Sequence, residues 1–152
     1  MRTIQVNTPR FTDRVAEARE ALKVADRDLL RRTLARCTAA IEARGVSEQL
    51  LHGEPHPGNL LATRNGLRFV DLETCCRGPL EFDLAHVPVE VGERYPGLDH
   101  DLLCECRILV LAMITTWRWD RRDQFPNGRE LGIEGLRQLR VELGRSERDA
   151  RG

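Results

Sequence analysis

The sequence predicts an α+β fold that is mainly α, with one small β-hairpin. Apolar residues recur at helical spacing over most of the chain, which indicates several amphipathic helices. Asn65-Gly66 separates two short apolar runs, a pattern typical of a hairpin because both residues tolerate positive φ. A loop rich in proline and glycine, residues 52–59, precedes the hairpin and excludes a regular helix or central strand there.

Length and composition limit the class of protein. A chain of 152 residues suits one domain with a real core, and 41% hydrophobic with 32% charged residues argues against disorder. The 24 basic and 24 acidic residues balance, which disfavours nucleic acid as a partner. The sequence shows neither a long apolar span nor an apolar signal segment, so we expect a cytoplasmic protein without a membrane partner.

The first third of the chain predicts two helices in series. Residues 1–11 are expected to form a lead-in strand or loop, and a first helix is expected to begin at Thr12. A second helix is expected from an N-terminal cap at Asp26 to a C-terminal glycine, Gly45.

Beyond the hairpin the pattern is again helical. A short helix is expected over Glu81 to Val87, and a long one over Leu98 to Trp119 with Asp99 as its N-terminal cap. A last helix spans Leu131 to Leu143, and the polar tail, residues 144–152, is expected to fray.

Three oxygen-bearing side chains are expected to meet at the open end of the hairpin. Glu54 and Asn59 lie in the rigid loop that enters the hairpin, and Asp71 follows its second strand. Phosphoryl transfer needs a carboxylate that accepts a hydroxyl proton, together with amide and carboxylate oxygens that hold Mg²⁺. The pattern therefore favours a phosphotransfer site over three solvated loop residues.

The spacing of this loop resembles a known catalytic pattern. His52-Gly53-Glu54-Pro55-His56-Pro57-Gly58-Asn59, followed by Asp71, is similar to the protein-kinase loop H-R-D-x-x-x-x-N and the later Asp of D-F-G. Three features resemble the aminoglycoside phosphotransferase and choline kinase-like family. They are Gly53 in place of the Arg, then Phe69-Val70-Asp71-Leu72-Glu73, and then Gly78-Pro79-Leu80-Glu81-Phe82-Asp83-Leu84-Ala85. The resemblance covers residues 12–143 and implies a kinase-like C-terminal lobe.

The resemblance also implies roles for single residues. Glu54 stands at the catalytic Asp of the family, Asn59 and Asp71 at its Mg²⁺ and nucleotide ligands, and His52 and Asp83 at structural supports. The implied cofactors are Mg²⁺ and ATP or another nucleoside triphosphate. The implied acceptor is a small-molecule hydroxyl. Acidic residues near the C-terminal helices would favour a cationic acceptor, and the candidates are Glu90, Glu93, Asp99 and Asp101.

Two departures from the family pattern weaken a simple assignment. Glu54 is one methylene longer than Asp, so its carboxylate reaches about 1.5 Å further, and catalysis is sensitive to shifts of ~1 Å. We expect the family's N-terminal nucleotide lobe with its phosphate-binding lysine to be absent from this chain, because only eleven residues precede the first predicted helix and the only lysine, Lys23, falls in that helix. The expected partners are therefore a separate N-lobe or a second copy of the chain. The alternative function is a non-catalytic binding module or an inactive remnant of such a kinase.

The other polar residues allow weaker interpretations. His56 is expected to pack within the loop rather than to catalyse, and Glu73 either assists Mg²⁺ or pairs with an arginine. A zinc site is disfavoured, because prolines forbid a helix through His52 and His56, and Cys104 and Cys106 have the wrong spacing.

Overall fold

The computed structural model describes residues 22–120 and 122–149, which are mainly helical with two small antiparallel sheets. Within this part of the chain the main elements are α1 (Val24–Ala43), β1 (Gln49–Leu51), β2 (Leu60–Thr63), β3 (Gly66–Phe69), β4 (Cys76–Gly78), α2 (Leu80–Leu84), α3 (Val89–Gly92), α4 (His100–Arg118) and α5 (Gly128–Asp149). They fall into two compact units, residues 41–107 and residues 22–40 with 108–149.

Helix α1 corresponds to the second predicted helix, with a different start. It begins at Val24, so Asp26 lies inside its first turn and the predicted cap at this residue is wrong. Asp26 instead forms an ion pair with Arg140 of α5. Gly45 adopts a φ of 57° just after the helix, as expected for a glycine that ends one. The predicted first helix lies mostly outside the described residues.

The hairpin of β2 and β3 forms at the predicted place. Leu60 pairs with Phe69 and Thr63 pairs with Gly66, so the Arg64–Asn65 turn joins adjacent strands. Gly66 has a φ of 99°, which accounts for glycine after the turn. A second sheet was not predicted: β1 pairs with β4, with Leu51 opposite Cys76. Strands of three residues are too short to show an alternation of apolar and polar residues in the sequence.

The later helices follow the predicted pattern with shifted bounds. The short helix α2 ends at Leu84, three residues before the predicted end at Val87, and α3 was not predicted. Helix α4 agrees with prediction, and the carboxylate of Asp99 accepts a hydrogen bond from the Leu102 N–H at 3.0 Å, as a cap does. Helix α5 begins at Gly128 and continues to Asp149, so the predicted end at Leu143 is wrong.

Each unit has its own buried apolar residues. In residues 41–107 these are Ile41, Leu51, Phe82, Leu102, Leu103 and Cys106. In the other unit they are Leu22, Leu30, Leu34, Cys37, Ile108, Leu109, Val110, Ala112, Met113, Trp119, Leu136 and Leu139. None of the described helices is long and apolar enough to cross a lipid bilayer. All five cysteines are free thiols.

Two glycines on α5, Gly132 and Gly135, allow it to lie close to α4 and to the residue that follows α4. A Cβ atom placed on Gly135 would lie 2.3 Å from the hydroxyl oxygen of Thr115, and one on Gly132 would lie 2.7 Å from the indole nitrogen of Trp119. Thr115 and Trp119 are buried. The two helices can therefore pack at this distance only because α5 lacks side chains at these positions.

Candidate functional site

Asp83 holds the loop that carries the candidate site. One of its carboxylate oxygens accepts the backbone N–H of His52 at 2.8 Å, and the other accepts that of Gly53 at 2.9 Å. Asp83 lies on α2, which follows β4 by one residue, Pro79. Hydrogen bonds to an ionised acceptor are stronger than neutral ones, so this pair fixes the start of the loop to α2.

The ring of His52 connects the loop to the end of the hairpin. Its Nδ1 accepts the backbone N–H of Glu54 at 3.3 Å, which assigns the proton to Nε2. Nε2 then donates to the carbonyl oxygen of Val70 at 2.9 Å. The ring also lies 5.0 Å, centroid to centroid, from that of Phe69 on β3. His52 thus contacts the residue before Asp71 and the residue that carries the candidate base.

Gly53 is required by the close approach of two chain segments. Its φ is 91°, and a Cβ atom here would lie 2.3 Å from the carbonyl oxygen of Thr74. The hydroxyl of Thr74 donates to the carbonyl oxygen of His52 at 3.0 Å. Only glycine combines this backbone conformation with this separation.

Asn59 is buried, and its amide is oriented by the loop itself. Its Nδ2 donates to the carbonyl oxygen of Glu54 at 2.9 Å. The orientation of the amide follows from this bond, and it leaves Oδ1 as an acceptor for another group. The carbonyl oxygen of Asn59 accepts the N–H of Val70 at 2.9 Å, which extends the hairpin ladder and places Asn59 beside the residue before Asp71.

Asp71 has an unusual backbone and an available carboxylate. Its φ and ψ are 59° and 62°, a left-handed conformation that costs energy for most residues other than glycine, asparagine and aspartate. The side chain is exposed and makes no hydrogen bond or ion pair with a residue that the structure describes. Glu73 is also exposed, and no described arginine forms an ion pair with it.

Partial burial dominates the electrostatics of Glu54. Burial, above all, raises the pKa of its carboxyl group above the usual value, and the nearby carboxylates of Asp71 and Glu73 raise it further. His56 and His52 act in the opposite direction and lower this pKa. The hydrogen bonds from Asn59 to the Glu54 carbonyl and from the Val70 N–H to the Asn59 carbonyl bring Glu54, Asn59 and Asp71 to one end of the hairpin.

These side chains fit Mg²⁺ better than a transition metal. Within the described part of the chain, no three His, Cys, Asp or Glu side chains stand close enough together to hold a metal ion. Mg²⁺ does not need such a cage, because it keeps several waters and takes one or two carboxylates together with substrate phosphates. The free Oδ1 of Asn59 and the exposed carboxylate of Asp71 offer oxygen atoms of the kind that Mg²⁺ prefers.

Two histidines near the loop have roles that the sequence did not fully predict. His56 accepts the N–H of Gly58 at 3.0 Å and so caps the short 3₁₀ turn Pro57–Asn59, which is local packing as expected. His86 was not singled out. Its Nε2 is buried without a hydrogen-bond partner among the described residues, and its ring meets that of Phe82 edge-on at 5.4 Å. Burial, followed by the nearness of His56 and His52, lowers the pKa of His86 to about 4.

The four acidic candidates for a cationic acceptor differ in availability. Asp99 caps α4 and forms an ion pair with Arg44 at 2.8 Å, and Glu93 pairs with Arg107 at 3.3 Å. Glu90 and Asp101 are exposed and form no ion pair with a described residue. Glu90 and Asp101 are therefore the more available of the four.

Comparisons with known proteins place the chain in a family. The model of a family described as phosphotransferase enzymes matches residues 4–103. Thiamine kinase of Escherichia coli K12 is 33% identical over 91 residues, which are 60% of this chain and 32% of that protein. The chain thus spans about a third of the length of this curated relative.

Solved structures share the fold at low sequence identity. Choline kinase LicA from Streptococcus pneumoniae superposes with a TM-score of 0.66 and 15% identity, over 88% of this chain and 54% of that one. The structure of LicA in complex with AMP gives a TM-score of 0.64 and 15% identity, over 87% of this chain and 54% of that one.

Proposed function

Because the chain belongs to the phosphotransferase enzyme family, we propose that it takes part in ATP-dependent phosphoryl transfer to the hydroxyl group of a small molecule. One observation carries the proposal. The amide nitrogen of Asn59 is held by the Glu54 carbonyl at 2.9 Å, so its oxygen is free at the end of the hairpin where Asp71 also has a free carboxylate. This is the ligand chemistry that a nucleotide-bound Mg²⁺ needs.

In the proposed mechanism each residue has a distinct task. Asn59 and Asp71 would hold Mg²⁺, and the ion would supply positive charge to the nucleotide phosphates. Glu54 orients the acceptor hydroxyl and takes its proton. Burial raises the pKa of Glu54, which makes its ionised form a better proton acceptor. His52 and Asp83 keep the loop in place through the backbone hydrogen bonds described above.

The acceptor is proposed as a small, preferably cationic alcohol. The names of the relatives, thiamine kinase and choline kinase, point to cationic alcohols as first candidates. Of the four acidic candidates, Glu90 and Asp101 are the more available. Affinity for nucleotide is expected to be weak in the 152-residue chain, whose single lysine is exposed beside α1. A separate N-lobe would add contacts to the nucleotide phosphates.

Thermal melts of the 152-residue chain test the proposal. Mg²⁺ with ATP should stabilise the folded state by roughly 1 to 2 kcal/mol at ten-fold or more above a weak Kd. Asp71→Asn should abolish this gain without lowering the stability of the metal-free protein, because it removes repulsion from Glu54. Asp28→Asn, on α1, is the matched control and should keep the gain. A wild-type melting temperature that does not change on addition of millimolar Mg²⁺ and ATP together would refute the proposed site.

A second candidate function is nucleotide binding without transfer. The observation that favours it is Glu54 itself, whose longer side chain shifts the carboxylate at the position of the base. Incubation with Mg²⁺ and γ-labelled ATP, using thiamine and choline as acceptors, separates the two functions. Binding without labelled product in wild type, with product from Glu54→Asp, would favour the binding function.

A further inference from the structure

The backbone of Asp71 needs support from the residues around it. Its φ and ψ of 59° and 62° lie in the left-handed region, and its carboxylate does not cap the turn that follows. A residue other than glycine keeps such a conformation only where the surrounding structure holds it there. The hydrogen bonds of the neighbouring residues are therefore the features that keep the Asp71 carboxylate in one place.

The chain on both sides of Asp71 is hydrogen-bonded to a single residue, His52. On one side, the carbonyl oxygen of Val70 accepts from Nε2 of the His52 ring at 2.9 Å. On the other side, the hydroxyl of Thr74 donates to the carbonyl oxygen of His52 at 3.0 Å. Asp71 thus lies between two points at which its segment is attached to the loop.

Thr74 is linked to Asp71 by a short, closed piece of backbone. The 3₁₀ turn Leu72–Thr74 directly follows Asp71. The hydrogen bond from the Cys75 N–H to the Leu72 carbonyl oxygen, 3.2 Å long, closes this turn. A displacement of Thr74 would therefore change the backbone angles of Asp71 as well.

The loop leaves room for Thr74 at Gly53. A Cβ atom on Gly53 would lie 2.3 Å from the carbonyl oxygen of Thr74 and 3.1 Å from its Cβ. Gly53 directly precedes Glu54, the candidate base. The contact with Thr74 therefore lies between the segment that carries Asp71 and the segment that carries Glu54.

We infer that Thr74 is a positioning residue, whose hydroxyl holds Asp71 in its left-handed conformation and fixes the Asp71 carboxylate relative to Glu54. The effect on Mg²⁺ with ATP rests on the proposed function, whereas the effect on the two backbone segments does not. The sequence pattern that indicates the site assigns no role to Thr74.

Hydrogen exchange of the metal-free protein tests the attachment. Thr74→Val keeps the shape of the side chain but removes the donor, and it should speed exchange in residues 50–60 and 69–76 about five-fold. Thr74→Ser keeps the hydroxyl and should exchange like wild type. Thr63→Val is the matched control, because the Thr63 hydroxyl donates to the Gly66 carbonyl oxygen at 2.7 Å, at the opposite end of the hairpin. It should leave exchange in residues 50–60 unchanged.

Three results of the exchange measurement would overturn the inference. They are wild-type exchange in Thr74→Val, an equal effect of Thr63→Val on residues 50–60, and a serine variant that exchanges like the valine variant. Thr74→Ala takes the place of Thr74→Val if circular dichroism shows that the valine variant does not fold.

Calorimetric titration with Mg²⁺ and ATP tests whether the attachment serves the site. Thr74→Val should raise the Kd about five-fold, because Asp71 spends less time in the conformation that binds. Thr74→Ser and Thr63→Val should stay within about two-fold of wild type. Faster exchange in Thr74→Val with an unchanged Kd would mean a purely structural role and would overturn the inference. A wild type that does not bind Mg²⁺ with ATP refutes the proposed function, and the exchange rates then decide alone whether Thr74 holds Asp71.

Discussion

The side-chain amide of Asn59 donates a hydrogen bond to the carbonyl oxygen of Glu54 at 2.9 Å, from one end of the loop to the other. Through this bond Asn59, which precedes the hairpin, fixes the backbone of Glu54, the candidate base. It also determines which atom of Asn59 faces away from the loop, namely Oδ1. A buried amide is suited to this double task because it carries a donor and an acceptor on one rigid plane.

Asn59→Asp should therefore damage the loop although it adds an oxygen ligand. The carboxylate has no donor for the Glu54 carbonyl and would be buried against it, so we expect a loss of about 1 to 3 kcal/mol in the free energy of unfolding. Denaturant unfolding at neutral pH measures this. Asn65→Asp, in the exposed hairpin turn, is the matched control. Equal stability of the Asn59→Asp protein and wild type would show that the hydrogen bond does not hold the loop.

Gly53→Ala should destabilise the protein by about 2 kcal/mol or more. The new Cβ would combine a disfavoured φ of 91° with a 2.3 Å contact to the Thr74 carbonyl oxygen. Gly66→Ala isolates the first effect, because Gly66 has a φ of 99° but open space around its Cβ position. Thermal melts should rank the loss at Gly53 above that at Gly66. The reverse order would mean that the two segments separate at little cost.

His86 should make the protein sensitive to acid. The pKa of this residue falls from 6.5 to about 4 on folding, mainly because the ring is buried. Between pH 6.5 and about 4, His86 is therefore protonated in the unfolded chain but neutral in the folded chain. The free energy of unfolding declines as the pH drops through this window. The loss from this residue should be about 2 kcal/mol at pH 5. His86→Leu should flatten the profile in this window, whereas His100→Leu, at an exposed position, should not.

The sequence predicted those parts of the site that depend on local chemistry. Asn65-Gly66 predicted the hairpin because a tight turn needs positive φ, and Gly66 indeed has a φ of 99°. The hairpin in turn predicted that Asp71 would return beside the loop, and the Val70–Asn59 hydrogen bond brings it there. Gly53 was recognised only as a family marker. Its physical reason, the 2.3 Å approach of Thr74, depends on a segment far along the chain.

The sequence did not predict the features that depend on residues far apart along the chain. The β1–β4 pairing joins strands of three residues, which are too short to show a period of two. His86 looked like an ordinary helical residue, since its burial arises from packing. The start of α1 was misplaced because Asp26, a good capping residue, is used instead for an ion pair with Arg140. Whether Glu54 supports catalysis stays a prediction.

Gly135→Ala should destabilise the protein although alanine is the better helix former. The new methyl group would meet the hydroxyl oxygen of Thr115 at 2.3 Å, and overpacking of this kind costs about 1 to 3 kcal/mol. Gly144→Ala, on the same helix, is the control: its Cβ would approach only the Arg148 guanidinium, at 3.9 Å, so it should stabilise by about 0.5 to 1 kcal/mol. Thr115→Ala removes the clashing oxygen and should recover part of the loss in the double variant. Chemical denaturation of wild type, the three single variants and the double variant measures all these changes, and stabilisation by Gly135→Ala would show that α4 and α5 can move apart freely.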